Sequence, residues 1–321
     1  MIKRILRILG QVLSDRKVRF RCFVKAGLYD GLSDEIFLEK KYYVLTGKKL
    51  DLLHPVGLDA KFQWYKVNYR NSLMTACADK VMAREYVKFC GLEKLLKKQY
   101  GVYDSFEKID FSILPEKFYM KCNHSSGMNA LIYKETLTDD RIKHLQSYFS
   151  KGLKHNYYRE TREWAYKNIE PKIICEEYLE SQDGTPLVDL NFFCFDGKVK
   201  LLYYNVGLAD KNGKHSEGKR GIFDEKLRFI ENGITQMTPL KEEEAVLPEC
   251  IQILYEYAER LAEPFPHARV DFFYVNDRPY FGEITFYSAS GYMYLEPKSL
   301  YDSLSEEFNI GNYQFILGKQ G

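Results

Sequence analysis

The chain reads Ala268-Arg269-Val270-Asp271-Phe272-Phe273-Tyr274 near its end and continues, after a turn, as Pro279-Tyr280-Phe281-Gly282-Glu283-Ile284-Thr285-Phe286. Both runs are rich in apolar and aromatic residues, and the turn-forming pair Asn276-Asp277 lies between them. Two such runs on either side of such a pair predict a β-hairpin. Because side chains alternate between the two faces of a strand, every second residue of each run shares a face.

Charged residues follow one face of this predicted hairpin. Arg269 and Asp271 share a face of the first strand, and Glu283 and Thr285 share a face of the second. Pairing of the strands is expected to bring Asp271 and Glu283 together, with Arg269 beside them. Two carboxylates in an apolar setting repel each other, which favours a cation between them. Oxygen ligands of this kind suit Mg2+, which usually takes one or two carboxylates together with nucleotide phosphates. The alternative is an edge hairpin with solvated charges, and the apolar neighbours of Glu283 disfavour it.

Composition excludes several classes of protein. The 321 residues are enough for two or three lobes around a sizeable core. The 47 basic and 45 acidic residues leave a net charge of only +2, so no overall field favours nucleic acid. The seven cysteines include no Cys-x-x-Cys pair, which indicates neither a disulfide framework nor a zinc site. No run approaches the roughly 18–20 apolar residues that span a bilayer.

The amino-terminal segment leaves two interpretations open. Residues 1–21 carry apolar side chains at helical spacing together with several lysines and arginines, which predicts a basic amphipathic helix. Such a helix can lie on an anionic membrane surface, or it can pack its apolar stripe on the body of the protein. The start of the chain lacks the long apolar region and cleavage site of a secretory signal. We therefore expect a cytoplasmic protein, with peripheral membrane contact through residues 1–21 as one interpretation.

The predicted secondary structure changes after Pro115. Residues before it are expected to be mostly helical, whereas Lys117-Phe118-Tyr119-Met120-Lys121-Cys122 has the character of a strand. This strand runs into the small-residue segment Asn123-His124-Ser125-Ser126-Gly127-Met128-Asn129, and a return strand follows. The arrangement predicts a flexible flap whose backbone N–H groups can line a phosphate, with Lys121 as a cation below it. It is not a Walker A loop, because the chain contains no Gly-x-x-x-x-Gly-Lys-Ser/Thr.

Other segments are predicted from pattern alone. Lys80 and Arg84 are four residues apart, so on a helix they project from one face and could reach the same anion; a solvated surface pair is the alternative. The predicted elements are helices over Leu32–Tyr43, Ala76–Cys90 and Leu247–Phe265, a helical region over Thr138–Tyr166, a strand over Lys172–Leu179, a hairpin over Leu187–Val206 that turns at Asp196-Gly197, and a loop over Gly207–Gly221.

Several motifs occur in an order that resembles the ATP-grasp superfamily, which includes D-alanine–D-alanine ligase. The closest likeness is to the TupA-like ATP-grasp proteins of cell-surface polysaccharide and teichuronopeptide gene clusters. The motifs are Phe62-Gln63-Trp64-Tyr65-Lys66, Ala78-Asp79-Lys80-x-x-x-Arg84-Glu85-Tyr86-Val87, Asp189-x-x-Phe192-Phe193-Cys194-Phe195-Asp196-Gly197-Lys198 and Phe281-Gly282-Glu283-Ile284-Thr285-Phe286. The likeness covers about residues 30 to 300, and the order of the motifs is more specific than any one of them.

This resemblance implies an α+β ATP-grasp fold, in which two α+β lobes clasp ATP. It implies a mostly helical amino-terminal domain over residues 1–115, a small lobe with the lid loop over 116–180, and a large lobe with the Mg site over 181–321. The residues that it implies are Lys80 and Lys121 for phosphates, Ser125, Ser126 and Gly127 for the lid, Glu176, Glu177 and Leu179 for the adenine hinge, Asp189 for the ribose or nucleotide, and Asp271, Glu283 and Thr285 for Mg2+.

The resemblance also implies catalytic cations. Arg269 would stabilise charge on an acyl phosphate or tetrahedral intermediate, and Lys121 would act on the phosphates. The loop over Asp210–Arg220 should supply a further cation for the γ-phosphate, and Lys211 is the first candidate. Three other residues of that loop stay open for the same role, namely Lys214, Lys219 and Arg220. Thr285 stands where related ligases often carry an Asn ligand, which leaves the second Mg2+ weakly held or partly hydrated.

The implied function is an ATP- and Mg-dependent carboxylate–amine ligase that acts on a cell-surface polysaccharide or its precursor. Joining a carboxylate to an amine requires an activated carboxylate, and ATP supplies it as an acyl phosphate. The expected partners are ATP, a carboxylate-bearing sugar or glycan precursor and an amine or amino acid, with no nucleic acid. The alternatives are a glycosyltransferase of capsular or exopolysaccharide synthesis, which the absence of Asp-x-Asp disfavours, an ATP-dependent sugar kinase, and a non-catalytic nucleotide-binding module.

Overall fold

The computed structural model of the protein describes residues 14–208 and 218–313. Within these residues the strands form a four-stranded and a six-stranded sheet, and the helices before residue 90 precede both. These early helices are α1 (Arg16–Lys25), α2 (Asp34–Thr46), α3 (Leu58–Asn68), α4 (Ser72–Ala78) and α5 (Met82–Phe89). The first part of the predicted amphipathic helix, residues 1–13, lies outside the described residues.

The helix predicted over Leu32–Tyr43 is present as α2, shifted by a few residues. The hydroxyl of Ser33 accepts a hydrogen bond from the backbone N–H of Ile36 and so caps its start. Gly47 ends it in the left-handed conformation with φ 77°, which glycine adopts without strain.

The single helix predicted over Ala76–Cys90 is wrong, because the chain breaks at Asp79 into α4 and α5. The backbone of Asp79 is extended, with φ −74° and ψ 114°. Its carboxylate accepts a hydrogen bond from the N–H of Val81 at 2.8 Å, and its carbonyl accepts one from the N–H of Ala83 at 2.8 Å. Asp79 thereby starts a new helix, and Lys80 lies in the turn between the two instead of on a helix face.

The smaller sheet contains β1 (Gln99–Tyr103), β2 (Lys117–Cys122), β3 (Asn129–Tyr133) and β4 (Ile173–Glu176), in the antiparallel order β1-β4-β2-β3. Between β3 and β4 the chain forms α6 (Asp139–Leu153) and α7 (Tyr157–Thr161). Leu145 and Phe149 of α6 pack on Phe118 and Met120 of β2 in one core cluster. The domain boundary at residue 115 remains a prediction, and β1, which precedes it, joins this sheet.

The larger sheet contains β5 (Val188–Phe195), β6 (Lys198–Val206), β7 (Lys219–Asp224), β8 (Thr238–Pro239), β9 (His267–Val275) and β10 (Arg278–Thr285), in the order β10-β9-β5-β6-β7-β8. All of these pairings are antiparallel except that of β7 with β8. The hairpin predicted at Asp196-Gly197 is confirmed, with φ values of 46° and 72° at the turn. The loop predicted over Gly207–Gly221 is wrong at its end, where residues 219–221 pair with β6 as part of β7.

Two further helices complete the described part of the large lobe. The helix predicted over Leu247–Phe265 is α8 (Ile251–Ala262), which buries Leu254, Ala258 and Leu261 in the core, and α9 (Lys298–Glu307) follows β10. No helix among residues 14–208 and 218–313 is long and apolar enough to cross a bilayer.

The hairpin of β9 and β10 contains a bulge that the alternation of side chains does not predict. Its turn residues, Asn276 and Asp277, have φ values of 50° and 55°, as a two-residue type I′ turn requires. Unbroken pairing from this turn would place Glu283 opposite Val270, on the core face. The register instead shifts at Gly282, so Glu283 pairs with Asp271. A Cβ on Gly282 would lie 2.9 Å from the carbonyl oxygen of Asp271, so this position requires glycine.

The amino-terminal helices pack on the large sheet through α3. The Tyr65 hydroxyl donates a hydrogen bond to the carbonyl of His267 at 3.1 Å, and the Tyr65 ring packs on Tyr287 at 5.4 Å between centroids. Phe62 meets the ring of His267 edge-on at 4.9 Å. Helix α3 therefore fixes both the start of β9 and the segment that follows β10.

Candidate active site

A cleft of about 620 Å³ opens between the two sheets. Its walls come from β2, β4, β5, β9 and β10 and from the loop between β2 and β3. The sequence-predicted site residues that line it are Lys80, Lys121, Ser125, Ser126, Gly127, Glu176, Glu177, Leu179, Asp189, Arg269, Asp271 and Glu283. Thr285 contacts this group without lining the cleft, and Lys211 lies outside the described residues. The fold thus brings together side chains as distant in sequence as Lys80 and Glu283.

On the small-sheet wall, one carboxylate holds two lysines. The Oε1 atom of Glu176 lies 2.7 Å from the Nζ of Lys121 and 2.8 Å from the Nζ of Lys97. Burial raises the pKa of Glu176, but the two ammonium groups more than offset burial and lower that pKa to about 2. Sequence reasoning missed Lys97, because it precedes β1 in a segment without a motif. The two lysines present positive charge to the cleft from its small-sheet wall.

Lys80 connects the turn after α4 to the predicted lid. Its Nζ donates a hydrogen bond to the carbonyl of Ser125 at 3.1 Å, and its backbone N–H donates to the carbonyl of Asn123 at 3.3 Å. Burial lowers the pKa of Lys80, and the carboxylate of Glu283 partly opposes this. The hydroxyl of Ser125 is buried and has no hydrogen-bond partner among the described residues. Gly127 has φ 78°, which lets the loop turn tightly.

The predicted hinge strand has an aromatic wall. Tyr178 stacks on Tyr119 with ring centroids 6.2 Å apart, and the Nζ of Lys117 lies 4.4 Å from the centre of the Tyr178 ring. Glu177 is tied to the small lobe by its backbone N–H, which donates to the carbonyl of Lys98 at 2.8 Å. A flat aromatic surface beside backbone groups suits a planar heterocycle.

On the large-sheet wall, Arg269 joins the predicted metal ligands. Its Nε lies 2.7 Å from Asp271 Oδ1, and its terminal nitrogen lies 2.5 Å from Asp271 Oδ2. The same nitrogen lies 3.3 Å from both Glu283 Oε1 and Thr285 Oγ1. Burial disfavours the guanidinium charge, but the Asp271 carboxylate more than offsets burial and raises the pKa of Arg269. The expected neighbourhood of Arg269, Asp271 and Glu283 is confirmed.

Asp189 adds a third carboxylate to this wall. The side-chain amide of Asn191 donates to Asp189 Oδ1 at 2.7 Å, and Asn191 pairs with Asp271 across the sheet. Burial raises the pKa of Asp189 to about 6, with Arg269 opposing and Glu283 adding to the rise. Burial likewise raises the pKa of Asp271, against the effect of Arg269.

These carboxylates fit a hard divalent cation by their chemistry. The donors of Asp189, Asp271 and Glu283 are all oxygen, the atom type that Mg2+ prefers. Burial is the main cause of the raised pKa values of Asp189 and Asp271, and the neighbouring carboxylate charges add to it. In their present positions, no three acidic, histidine or cysteine side chains in the described part of the chain converge on one point. Mg2+ needs only one or two carboxylates when phosphates supply the remaining oxygens.

Two of the four candidate loop cations, Lys219 and Arg220, lie among the described residues, and their surroundings differ. The Nζ of Lys219 pairs with Glu244 at 2.8 Å, away from the carboxylates. Arg220 instead donates from Nε to the Oδ1 of Asn205 at 2.6 Å and stacks 4.2 Å over the Tyr203 ring. Burial lowers the pKa of Arg220, and the charges of Asp189 and Asp271 partly oppose this. Hydrogen bonds from Arg220 to Asn205, from Asn205 to Asn191 and from Asn191 to Asp189 place Arg220 on the face of the sheet that carries the carboxylates. Lys211 and Lys214 lie outside the described residues.

Comparison with known proteins gives a family match and several structural likenesses. The model of the TupA-like ATP-grasp family matches residues 60–309. D-alanine–D-alanine ligase from Bacillus anthracis is 17% identical, with 76% of this chain and 70% of that chain covered and a TM-score of 0.44. Its complex with ATP gives 16% identity, coverage of 77% and 69%, and a TM-score of 0.45.

An L-amino acid ligase from Bacillus licheniformis is 13% identical, with 87% of this chain and 57% of that chain covered and a TM-score of 0.38. A search of curated protein sequences gave no match. The family match alone covers more than half of the chain, and it includes the cleft residues of both sheets. The chain therefore belongs to the TupA-like ATP-grasp family, and its two-sheeted α+β architecture is the ATP-grasp fold.

Proposed function

We propose that this protein is an ATP- and Mg-dependent carboxylate–amine ligase that forms an acyl phosphate and acts in the synthesis or modification of a cell-surface polysaccharide. The observation that carries this proposal is the pairing of opposite charges across one cleft. Lys80, Lys97 and Lys121 line one side, whereas Asp271 and Glu283 line the other around Arg269. Cations for phosphates facing carboxylates for a divalent cation are what phosphoryl transfer from ATP requires.

Each predicted residue has a role in this proposal. Lys80 and Lys121 bind the ATP phosphates, and the lid residues Ser125, Ser126 and Gly127 close over them and exclude water. The hinge residues Glu176, Glu177 and Leu179 hold adenine through backbone groups, and Asp189 contacts the ribose or nucleotide. Asp271, Glu283 and Thr285 hold Mg2+, which when bound neutralises phosphate charge.

Arg269 stabilises the charge that develops during the reaction. A carboxylate oxygen of the substrate attacks the γ-phosphorus, ADP leaves, and an acyl phosphate forms. The neutral amine then attacks the acyl carbon, the bond from that carbon to the phosphate oxygen breaks, and the leaving phosphate takes the proton that the nitrogen loses as the amide forms. The Asp271 carboxylate holds the guanidinium of Arg269 in place, so the guanidinium can stabilise the developing negative charge without moving. Arg220 is the loop cation that the geometry favours for the γ-phosphate, beside the predicted Lys211.

The polysaccharide role rests on the family, and it defines the substrates. We expect a carboxylate-bearing sugar or glycan precursor as one substrate and an amine or amino acid as the other, in the cytoplasm. The basic residues of α1 support peripheral contact with an anionic membrane, although its apolar residues Phe20 and Val24 pack on the body of the protein.

The test combines the purified protein with Mg-ATP and separate uronic acids or amino acids, with hydroxylamine as a trap for acyl phosphate. Release of ADP together with a hydroxamate supports the ligase. Release of ADP with a phosphorylated sugar supports a sugar kinase instead, and turnover of UDP-sugars without ATP supports a glycosyltransferase. Either of these last two results contradicts the proposal.

A further inference from the structure

The loop between β2 and β3 begins with a polar residue that is buried beside the cleft. Asn123 has 0% of its surface exposed. Lys80 and Ser125 line the cleft, whereas the described residues that line it include neither Asn123 nor Asp79. Asn123 therefore does not face the space for ATP, and any effect of its side chain on that site must pass through its neighbours.

The side-chain amide of Asn123 uses both of its polar atoms. Its Nδ2 donates at 2.9 Å to Asp79 Oδ1 and at 2.9 Å to the carbonyl of Glu170. Its Oδ1 accepts from the backbone N–H of Lys172 at 2.7 Å and lies 3.2 Å from the Nδ1 of His124. A carboxylate and a carbonyl only accept, and a backbone N–H only donates, so these partners fix the orientation of the amide. The amide joins the turn between α4 and α5 to the segment that leads into β4.

Three hydrogen bonds connect residues 79–80 with residues 123–125. The first is the bond from the Asn123 amide to Asp79, between two buried side chains that are 44 residues apart along the chain. The backbone N–H of Lys80 donates to the carbonyl of Asn123 at 3.3 Å, and the Nζ of Lys80 donates to the carbonyl of Ser125 at 3.1 Å. The bond to the Asp79 carboxylate is charge-assisted, and it fixes the backbone from which the Lys80 side chain extends.

The base of the predicted lid is bonded on both sides. The backbone N–H of Asn123 donates to the carbonyl of Lys172 at 3.1 Å, and the N–H of Cys122 donates to the carbonyl of Met128 at 2.9 Å. These bonds continue the smaller sheet beyond the end of β2 and close the loop at its base. The segment predicted to cover the phosphates, residues 125–127, extends from this base into the wall of the cleft.

We propose that Asn123 is a positioning residue of the nucleotide site, which acts through the Asp79 carboxylate to hold the ammonium group of Lys80 and the base of the lid where they bind ATP phosphates. The ammonium group of a lysine lies at the end of a flexible four-carbon stem, so its position depends on a fixed backbone. A cation that is held in place before binding costs less ordering when the phosphates arrive. This inference rests on the proposed phosphate roles of Lys80 and the lid.

Equilibrium binding to the full chain tests this role without turnover. The ligand is adenylyl imidodiphosphate with Mg2+, followed by calorimetry. Asn123→Asp keeps the size and the acceptor but places a second carboxylate opposite Asp79, so we expect the affinity to fall at least about tenfold. Asn156→Asp is the matched control with unchanged affinity, because that side chain accepts from the N–H of Arg159 at 2.9 Å and an aspartate can do the same. Unchanged affinity in Asn123→Asp overturns the inference.

Combined variants separate positioning from a general effect on folding. Asn123→Asp together with Asp79→Asn restores an amide–carboxylate pair with reversed polarity, and at least about threefold of the lost affinity should return. Lys80→Met removes the group through which Asn123 acts, so in that background Asn123→Asp should cost less than about twofold. Absence of recovery in the exchanged pair, or an equal loss with and without Lys80, overturns the inference.

Two further measurements complete the test. If Asn123→Asp does not fold by circular dichroism, Asp79→Ser takes its place; serine can cap α5 but removes the carboxylate, and the same loss of affinity is expected. Hydroxamate formation from a uronic acid, Mg-ATP and hydroxylamine reports the ligase chemistry separately. Hydroxamate with unchanged nucleotide affinity in the variant leaves the ligase and overturns the role of Asn123. A loss of nucleotide affinity that depends on Lys80, without hydroxamate from any carboxylate, supports the role of Asn123 and overturns the ligase.

Discussion

Arg269 is the residue on which the charges of the large sheet converge. It forms a bidentate pair with Asp271 and also reaches Glu283 and Thr285. Alternation along each strand predicts which of these side chains share a face, but the pairing of Glu283 with Asp271 also requires the bulge at Gly282, which alternation does not predict. The pairing of Lys97 with Glu176 is not predictable in this way, because 79 residues separate the partners and no motif marks Lys97.

Replacement of Glu283 by Gln tests the metal site at the level of one atom. The change keeps the shape and removes a negative charge, so we expect ATP turnover to fall at least about 100-fold. The side chain is 42% exposed, so the free energy of unfolding should change by less than about 0.5 kcal/mol. A coupled assay of ADP release and urea unfolding measure the two effects. The matched control is Glu256→Gln on the exposed face of α8, and near-normal turnover in Glu283→Gln would refute the assignment.

The Glu176 carboxyl makes the stability of the small lobe depend on pH. Lys121 and Lys97 more than offset burial and lower its pKa from 4.5 to about 2. A group with a lowered folded-state pKa stabilises the fold fully above its unfolded value and loses this effect as pH falls toward the folded value. We expect the free energy of unfolding to fall by about 3 kcal/mol from this group between about pH 5 and pH 2.

Urea unfolding of the wild type and Glu176→Gln at several pH values measures this contribution. The variant should be less stable at pH 7 and should show a shallower loss of stability in acid. Glu256→Gln should keep the wild-type slope. A slope in Glu176→Gln equal to that of the wild type would show that the ion pairs do not set this pKa.

Element boundaries show what local sequence can and cannot predict. Both long hairpins were predictable, because Asp196-Gly197 and Asn276-Asp277 are dipeptides that adopt the left-handed conformations of type I′ turns. The break between α4 and α5 was not, because the helical pattern continues through Asp79. The start of β7 within the predicted loop was also missed, since pairing with β6 decides it rather than composition.

Replacement of Asp79 by Ala tests the helix break. The change removes the acceptor for the N–H of Val81 and for the side-chain amide of Asn123. We expect a loss of about 1–2 kcal/mol in the free energy of unfolding. Because Lys80 is the next residue, the KM for ATP should also rise. Asp79→Asn retains an acceptor and should recover most of the stability; equal loss in both variants would contradict the capping role.

The whole molecule joins the amino-terminal helices, the smaller sheet and the larger sheet around the cleft. The family resemblance, which follows from the order of the motifs, is confirmed over residues 60–309. The domain boundaries remain predictions. The packing of α3 on the large sheet could not be predicted from the sequence, because its partners are far away along the chain; Lys66 bonds the carbonyl of Ser290 across 224 residues.

Binding of Mg-ATP across both lobes should stabilise the entire fold. A ligand at about 100 times its Kd adds about 2.7 kcal/mol, which raises the Tm by several degrees. Thermal unfolding with Mg-ATP, and with ATP plus excess EDTA, measures this increase and its dependence on the metal. We expect EDTA to remove most of it, and Glu283→Gln to show little increase in either condition. An equal increase with EDTA would contradict a role for the metal in nucleotide binding.

Gly282 gives β10 a property comparable to a reading frame. The strand alternates with a period of two, and this one additional residue sets the phase for everything after it. A straight strand of the same length, without this bulge, would exchange inside and outside for the following segment, so that Ile284 would face the nucleotide and Glu283 the core. Deletion of Gly282 would instead keep the phase, because Glu283 would then follow Phe281 directly and still pair with Asp271. The site should therefore tolerate loss of the extra residue better than a side chain at Gly282 that forces the strand straight.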